Sequence, residues 1–297
     1  MTTQNSVKKH ILIDVDGVLK SRNPKLYKWL PQFFFSFLKR IIHQKEMNAF
    51  LKQYAHLEGL PFLQEALDYL GVSENLNGEE NLPSEGSYLF VSNHPLGGLD
   101  GLLLMRMLIE RYGEVKALIN DLLLNVVNLR HFFLGVNLFG TNSKESIRQL
   151  NESFDSGAQI LFFPAGLVSR KVHGKVQDLK WKKTFIVRAK RHKLNVVPIF
   201  VEGKNSRRFY SIANMRRKLG IKTNYELVLL PDELFRQQNN TIGIRIGKTI
   251  PYETFDSRFN NDDWAAKVRE HVYRMSDDYN IEFDETSIPK QAPDILF

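Results

Sequence analysis

From residue 87 onward, short apolar runs of strand length alternate with longer amphipathic segments. The apolar runs are YLFVS, VKALI, QILFFP and NVVPIFV, and between them stand GLLLMRMLIERY, SIRQLNESF and WKKTFIVRAKRH. Parallel strands need a long crossover between them, usually a helix, so this alternation is typical of an α/β domain. We therefore predict an α/β fold in which helices flank a mixed, largely parallel sheet.

Two later segments, YELVLL and TIGIRIG, are also predicted to be strands, the second of them at an edge because it alternates apolar and polar residues. A final helix is predicted from Asp262 to Met275. Upstream, residues 24 to about 72 have helical spacing, with Pro24 and Pro31 at helix starts. We expect a helical N-terminal subdomain at 1–74 and an α/β domain at 75–297, with a polar linker at 75–86.

The N-terminal subdomain contains an aromatic and basic segment, LYKWLPQFFFSFLKRII, at 26–42. It is shorter than the roughly 18 apolar residues that a membrane span needs. Residues 1–60 carry 10 Lys or Arg and 4 Asp or Glu, which is six of the net +8 charges. A helix of this kind suits the headgroup layer of an anionic membrane. Packing of the Phe cluster on the protein's own core explains the pattern equally well, and both can hold.

The chain has no Cys, which excludes a thiol nucleophile, a disulfide framework and thiolate zinc sites. The apolar run near the N-terminus is broken by Asp14 and Asp16, so it lacks the continuous apolar region of a secretory signal. We expect the mature chain to begin here and to act as a peripheral protein on the cytoplasmic face of the membrane.

Three fragments suggest other functions. IDVDGV, at 13–18, resembles the nucleophile loop of haloacid dehalogenase-type phosphatases, but the helical pattern after it does not supply the early sheet of that fold. GIRIGKT, at 243–249, lies in an alternating strand pattern where a phosphate-binding loop needs a following helix. The basic stretch at 180–191 has the spacing of an amphipathic helix, so we expect no nucleic-acid partner.

The segment YLFVSNHPLGGLDGLLL, at 88–104, places His94 and Asp100 at a turn from a strand into a helix. Such a turn is where α/β proteins hold ligands. A histidine can take the proton of an alcohol while a carboxylate holds its other nitrogen. With no Cys, and no Ser in a nucleophile-elbow setting, the nucleophile is then the hydroxyl of the substrate. A loop histidine beside a helix-capping Asp is the plainer alternative.

NHPLGGLDG resembles the first motif of the lysophospholipid and glycerolipid acyltransferase superfamily, although five residues, and not four, separate His94 from Asp100. Three further blocks follow in the family's order. LGVNLFGTN, at 134–142, is similar to the second motif but lacks its Arg. LFFPAGLVSR, at 161–170, is similar to the third, and VPIFV, at 197–201, to the fourth.

The resemblance, which covers residues 87–201, implies transfer of a fatty acyl chain from an acyl carrier protein or coenzyme A thioester to a lipid hydroxyl. It implies no tightly bound cofactor and no metal. His94 would be the general base and Asp100 its orienting partner, with a main-chain amide near Gly166 meeting the oxyanion. The substrate-binding positions that it implies are Asn93, Gly140, Asn142, Pro164, Gly166, Ser169, Arg170 and Lys171.

The acceptor is the least constrained part of this prediction. In the third block, Ala165 and Val168 replace the family's Glu and Arg, which together with the missing Arg of the second block normally serve a glycerol phosphate. We expect a different headgroup, such as an N-acylated amino acid lipid, with a lysophospholipid as the other candidate. The set is most similar to bacterial members that acylate ornithine and glycine lipids. A catalytically silent lipid- or membrane-binding protein on the same fold is the alternative function.

Overall fold

The computed structural model describes residues 12–22, 24–120, 126–136, 144–289 and 292. The helices in these ranges are α1 (Val15–Arg22), α2 (Pro24–Trp29), α3 (Gln32–Ile41), α4 (Gln44–Gln53), α5 (Leu60–Leu70), α6 (Gly98–Tyr112), α7 (Lys144–Asp155), α8 (Thr184–His192), α9 (Arg207–Lys218), α10 (Leu230–Phe235) and α11 (Asn261–Arg274). The strands are β1 (Ser73–Asn77), β2 (Tyr88–Ser92), β3 (Val115–Asn120), β4 (Phe133–Val136), β5 (Gln159–Phe162), β6 (Arg170–Val172), β7 (Lys175–Gln177), β8 (Asn195–Val201) and β9 (Thr241–Ile246).

Seven of these strands form one sheet in the order β1-β9-β8-β2-β5-β3-β4. Neighbouring strands run parallel except for β8 and β9, which are antiparallel. The predicted mixed, largely parallel sheet is therefore confirmed. Strands β6 and β7 form a separate antiparallel hairpin, which follows the third sequence block directly.

Both faces of the sheet are covered, as a parallel sheet requires. Along β2 the buried side chains alternate: Phe90 packs on the face that α5 and α6 cover, and Leu89 and Val91 pack on the face that α8 and α11 cover. Because β2 lies in the middle of the sheet, the loop after it opens at the centre of the sheet's carboxyl edge. Ligands bind at such an edge in open α/β sheets.

Several predicted elements are confirmed, and others are corrected. TIGIRIG forms β9, but β9 lies between β1 and β8, so its predicted edge position was wrong. The edge strand on this side of the sheet is β1, a polar strand whose last three residues lie in the predicted linker 75–86. The segment YELVLL is not a strand, because a 3₁₀ turn at Tyr225–Leu229 leads directly into α10, where Pro231 suits the first turn.

The phosphatase-like fragment does not follow a strand. Residues 12–14 have no regular structure, and Val15 opens α1. GIRIGKT continues out of β9 with no helix after it, which agrees with its rejection as a phosphate-binding loop. The basic stretch at 180–191 contains the amphipathic helix α8, whose apolar residues Phe185 and Ile186 are fully buried.

The aromatic N-terminal segment both packs on the protein and faces solvent. In α3, Phe35 and Ile41 are buried, whereas Phe33 is 73% exposed and Phe37 is 54% exposed. Trp29, at the end of α2, is also exposed. Within the described part of the chain, none of the helices has the length and apolar character that crossing a bilayer requires.

Candidate active site

The site is built on the loop that follows β2. Asn93 is buried there, and its amide nitrogen donates to the carbonyl of Val201 at 2.8 Å while its amide oxygen accepts from the Val201 N–H at 2.7 Å. These two bonds join the end of β2 to the end of β8. Asn93, predicted to bind substrate, thus fixes the position from which His94 extends.

His94 and Asp100 come together as the sequence predicted. His94 Nδ1 lies 3.0 Å from Asp100 Oδ2, and the carboxyl group is completely buried. The same oxygen accepts the main-chain N–H groups of Leu96 at 2.9 Å and of Gly97 at 3.1 Å. Burial raises the pKa of the Asp100 carboxyl, and the His94 ring and the Leu96 N–H oppose that rise. Asp100 therefore caps α6 and also contacts the histidine.

The turn between the two residues depends on one of its two glycines. Gly97 has φ +77° and ψ −126°, a combination that residues with a side chain avoid. A Cβ at Gly97 would also stand 3.2 Å from Leu230 and 3.3 Å from Val168. Gly98 has open space around it. The Gly97 conformation lets the five-residue spacer place Asp100 against the histidine ring.

The His94 peptide is held by Asp178, a residue that sequence reasoning missed. The His94 N–H donates to Asp178 Oδ1 at 3.2 Å, and the Ser169 hydroxyl donates to the same oxygen at 2.5 Å. Asp178 Oδ2 accepts the Trp181 indole N–H at 2.8 Å. The Asp178 side chain is completely buried, so all three bonds are made away from solvent.

Two residues of α11 hold Asp178 in turn through its main chain. The Asp178 N–H donates to the Tyr273 hydroxyl at 2.6 Å, and its carbonyl accepts from Arg269 Nη2 at 2.6 Å. Burial raises the pKa of Tyr273 well above its ordinary value, so Tyr273 remains a neutral acceptor. The connection therefore runs from α11 to the loop that carries His94.

The third sequence block lies beside His94. The Phe163 ring stands 4.3 Å from the His94 ring, centroid to centroid, and the Ser169 N–H donates to the His94 carbonyl at 2.8 Å. Pro164 is buried, and its carbonyl accepts the Lys182 N–H at 3.0 Å. The Gly166 N–H donates to the Phe163 carbonyl at 3.0 Å, so in this conformation it is not available as the oxyanion donor that we expected there.

Arg170 and Lys171, the expected anion binders, have different surroundings. Arg170 is buried, and its Nη2 donates to Glu226 Oε1 at 2.8 Å while Nη1 donates to the Val168 carbonyl at 2.6 Å. Its guanidinium group is committed to this internal pair, which corrects the expectation that it faces a ligand. Lys171 is exposed on the hairpin.

The two positions of the third block that depart from the family pattern hold buried apolar side chains. Ala165 is buried in the cluster beneath α8, and Val168 is buried beside Phe209. Neither position presents a charge to the site. Gly140 and Asn142, predicted from the second block, lie outside the described residues. Among the residues described, no group of three or more His, Asp or Glu is placed to hold a metal ion.

Comparison of the sequence with known protein families gives a match over most of the chain. The acyltransferase family model matches residues 17–280 of the chain. The chain belongs to the acyltransferase family. The four ordered sequence blocks predicted membership of the glycerolipid acyltransferase superfamily, and that prediction is confirmed.

Two relatives of known name support the same assignment. A lyso-glycine lipid O-acyltransferase of Bacteroides thetaiotaomicron is 43% identical over 265 residues, covering 89% of this chain and 97% of the relative. A protein of the same name from Phocaeicola vulgatus is 41% identical over 265 residues, covering 89% of this chain and 95% of the relative. Among solved structures, the 1-acyl-sn-glycerophosphate acyltransferase PlsC of Thermotoga maritima aligns with 84% of this chain and 90% of its own, at 18% identity and a TM-score of 0.47.

Proposed function

We propose that this acyltransferase moves a fatty acyl chain from a thioester to the hydroxyl of a lyso-glycine lipid. The observation that carries the proposal is the 3.0 Å approach of His94 Nδ1 to the buried Asp100, in a chain more than 40% identical to two proteins named for that reaction. The donor would be acyl carrier protein or coenzyme A, which share a thioester. The product would enter the membrane lipid pool.

In this mechanism Asp100 keeps Nδ1 of His94 protonated, which leaves Nε2 to act as the base. The acceptor oxygen attacks the thioester carbonyl carbon as Nε2 takes the hydroxyl proton. The tetrahedral oxyanion then collapses, the C–S bond breaks, and the thiolate takes the proton back from the imidazolium. Asp100 stabilises the imidazolium between these two transfers. No side chain of the protein becomes acylated.

Three structural features support His94 as a base that the protein holds in position. They argue against a chance contact between His94 and Asp100. The His94 side chain is 19% exposed, so a substrate can reach it, whereas the Asp100 side chain is completely buried. Its ring packs on Phe163, and both its N–H and its carbonyl are hydrogen bonded, to Asp178 and Ser169. A base fixed in this way needs little reorganisation when substrate arrives.

The acceptor assignment is supported by what the third block lacks. Ala165 and Val168 are buried apolar residues where the family pattern places charged ones, and Arg170 is paired internally with Glu226. These positions therefore offer no ionic contact to a glycerol phosphate. A lyso-glycine lipid carries no phosphate, so it does not need them. We place the reaction at the cytoplasmic face of an anionic membrane, where α3 presents Phe33 and Phe37.

The test is an acceptor competition with purified protein. Lyso-glycine lipid and lysophosphatidate are supplied together, once with acyl coenzyme A and once with acyl carrier protein, and the products are identified by mass spectrometry. We expect diacylated glycine lipid to dominate with at least one donor. Preferential acylation of lysophosphatidate would refute the acceptor assignment. No product from any donor and acceptor pair would favour a lipid-binding protein without catalysis.

A further inference from the structure

The surface formed by the end of α9 and the 3₁₀ turn after it exposes five large apolar side chains. Leu219 is 67% exposed and Tyr225 is 60% exposed. The other members of this set are Met215, Ile221 and Val228. We call this surface the α9 patch. All five lie within residues 215–228, and a surface with this many exposed apolar side chains favours binding to a partner, because leaving them in water is unfavourable.

The α9 patch is also strongly basic. Residues 215–225, which form most of the patch, contain four Lys or Arg and no Asp or Glu, and one of the four, Arg216, is buried. The acidic residue that follows, Glu226, is completely buried between Arg170 and Arg216, so it does not offset the charge at the surface. Lys218 and Lys222 stand exposed beside the apolar side chains.

A buried arginine of α9 supports the main chain of the α9 patch. Arg216, buried on the inner face of α9, donates through Nη1 to the carbonyls of Ile221 at 2.5 Å and of Lys222 at 3.2 Å. Its Nε lies 2.9 Å from Glu226 Oε2. The exposed loop is therefore supported by a buried, ion-paired arginine, which holds the main chain at Ile221 and Lys222.

The elements that carry the α9 patch pack on α3 and on the third block. Phe209 of α9 and Leu229 of the 3₁₀ turn share one buried cluster with Ile41 of α3 and Val168 of the third block. Glu226 binds Arg170, and Arg170 is the chain neighbour of Ser169, whose N–H donates to the His94 carbonyl. Helix α9 and the 3₁₀ turn are thus connected, through buried residues, to α3 and to the segment beside His94.

We propose that the α9 patch docks on an anionic lipid bilayer. Met215, Leu219 and Tyr225 would enter the headgroup layer while Lys218 and Lys222 contact lipid phosphates. Helix α8 provides the internal comparison, since it is equally basic but carries one large exposed apolar residue, Val187. An acidic protein would complement the charge of either surface, whereas a bilayer also accounts for the five apolar side chains that distinguish the α9 patch.

The test is binding to vesicles without any acyl donor or acceptor, so its outcome is separate from that of the catalytic proposal. The probes are phosphatidylcholine vesicles and equimolar phosphatidylcholine and phosphatidylglycerol vesicles, scored by cosedimentation. We expect Met215→Ser with Leu219→Ser to weaken binding to the mixed vesicles by about tenfold or more. Lys218→Glu with Lys222→Glu should weaken binding to the mixed vesicles by a similar factor and leave binding to phosphatidylcholine alone unchanged.

Matched control variants distinguish binding through the α9 patch from nonspecific adsorption of the protein to vesicles. Val187→Ser, and Lys190→Glu with Arg191→Glu, alter α8 in the same chemical sense and should leave vesicle affinity within about twofold of wild type, because exposed single sites contribute little. All altered side chains are exposed, so unchanged melting temperatures are expected. Wild-type vesicle affinity in the α9 double variants would overturn the proposal, whether or not Phe33→Ser with Phe37→Ser loses binding. So would unchanged vesicle affinity with loss of binding to acyl carrier protein.

Discussion

The main-chain N–H of His94 donates to the carboxylate of Asp178 across 84 residues of sequence, at 3.2 Å. Ser169 closes the arrangement, since its hydroxyl donates to the same oxygen and its N–H donates to the His94 carbonyl at 2.8 Å. Both the main-chain N–H and the main-chain carbonyl of His94 are thereby held by hydrogen bonds. The position of the proposed base depends on the segment after the β6–β7 hairpin as much as on the turn between β2 and α6.

Asp178→Asn should therefore affect catalysis beyond its effect on stability. The amide replaces one acceptor oxygen with a donor, which leaves a buried donor unsatisfied and lowers the free energy of unfolding by about 1–3 kcal/mol. Displacement of His94 should lower kcat by about 10- to 100-fold with little change in KM. The measurement is steady-state kinetics beside thermal unfolding.

Trp181→Phe is the matched control, because it removes the partner of Asp178 Oδ2 and leaves the contact with His94 in place. We expect it to lower the melting temperature comparably and to retain kcat within about threefold, since it leaves the bond to His94 intact. If both variants lost kcat in proportion to their loss of melting temperature, Asp178 would be a structural residue only.

Replacing each of the two glycines of the first motif with Ala should change the stability of the protein in different ways. Gly97→Ala introduces a side chain at φ +77° and ψ −126° and should destabilise the protein by about 1–3 kcal/mol. Gly98→Ala meets open space and should be neutral or stabilising by up to about 1 kcal/mol. Urea unfolding measures both, and equal effects of the two substitutions would contradict the assignment of the turn to Gly97.

The sheet was predictable because its central strands are apolar runs separated by amphipathic segments. The two errors have physical causes. The edge strand β1, SENLN, is polar and short, so it resembled a linker although it pairs with β9 along its length. The segment YELVLL has strand-like composition, but Glu226 is drawn into a buried pair with Arg170 and Arg216, and a 3₁₀ turn forms instead.

The His94 and Asp100 contact was predictable from a single segment, whereas its support was not. Asp178 follows the short strand β7, where three residues carry no usable periodicity, and two of its partners, His94 and Tyr273, lie 84 and 95 residues away in the chain. Arg170 illustrates the opposite error. A basic residue at the end of the third block suggested a contact with an anionic ligand. Only the fold shows that the Arg170 guanidinium group is already paired with Glu226.

His271 makes a distinct prediction for acid stability. Burial lowers the pKa of this histidine to about 4, whereas an unfolded histidine titrates near 6.5. Above about pH 6.5 both states are neutral, and as the pH falls toward 4 the unfolded state gains a proton that the folded state does not. From pH 7.5 to pH 5 the wild type should lose about 2 kcal/mol more stability than His271→Leu. Parallel pH profiles of unfolding for the two proteins would contradict this.

The buried pair of Glu226 with Arg170 and Arg216 should be sensitive to loss of its carboxylate. Glu226→Ala deprives two buried guanidinium groups of the acid they share and should lower the free energy of unfolding by about 3–5 kcal/mol. Glu80→Ala, at an exposed acid, should change it by less than about 0.5 kcal/mol. A loss below about 1 kcal/mol for Glu226→Ala, measured by urea unfolding, would show that the pair contributes little.

The central claim is that His94 removes the proton of the acceptor hydroxyl, and the rate of His94→Ala tests it most directly. In an assay with lyso-glycine lipid and the preferred acyl thioester, we expect kcat/KM to fall about 1,000-fold while the melting temperature stays close to that of wild type. A folded His94→Ala protein that retained kcat/KM within about tenfold of wild type would contradict the assignment of His94 as the base.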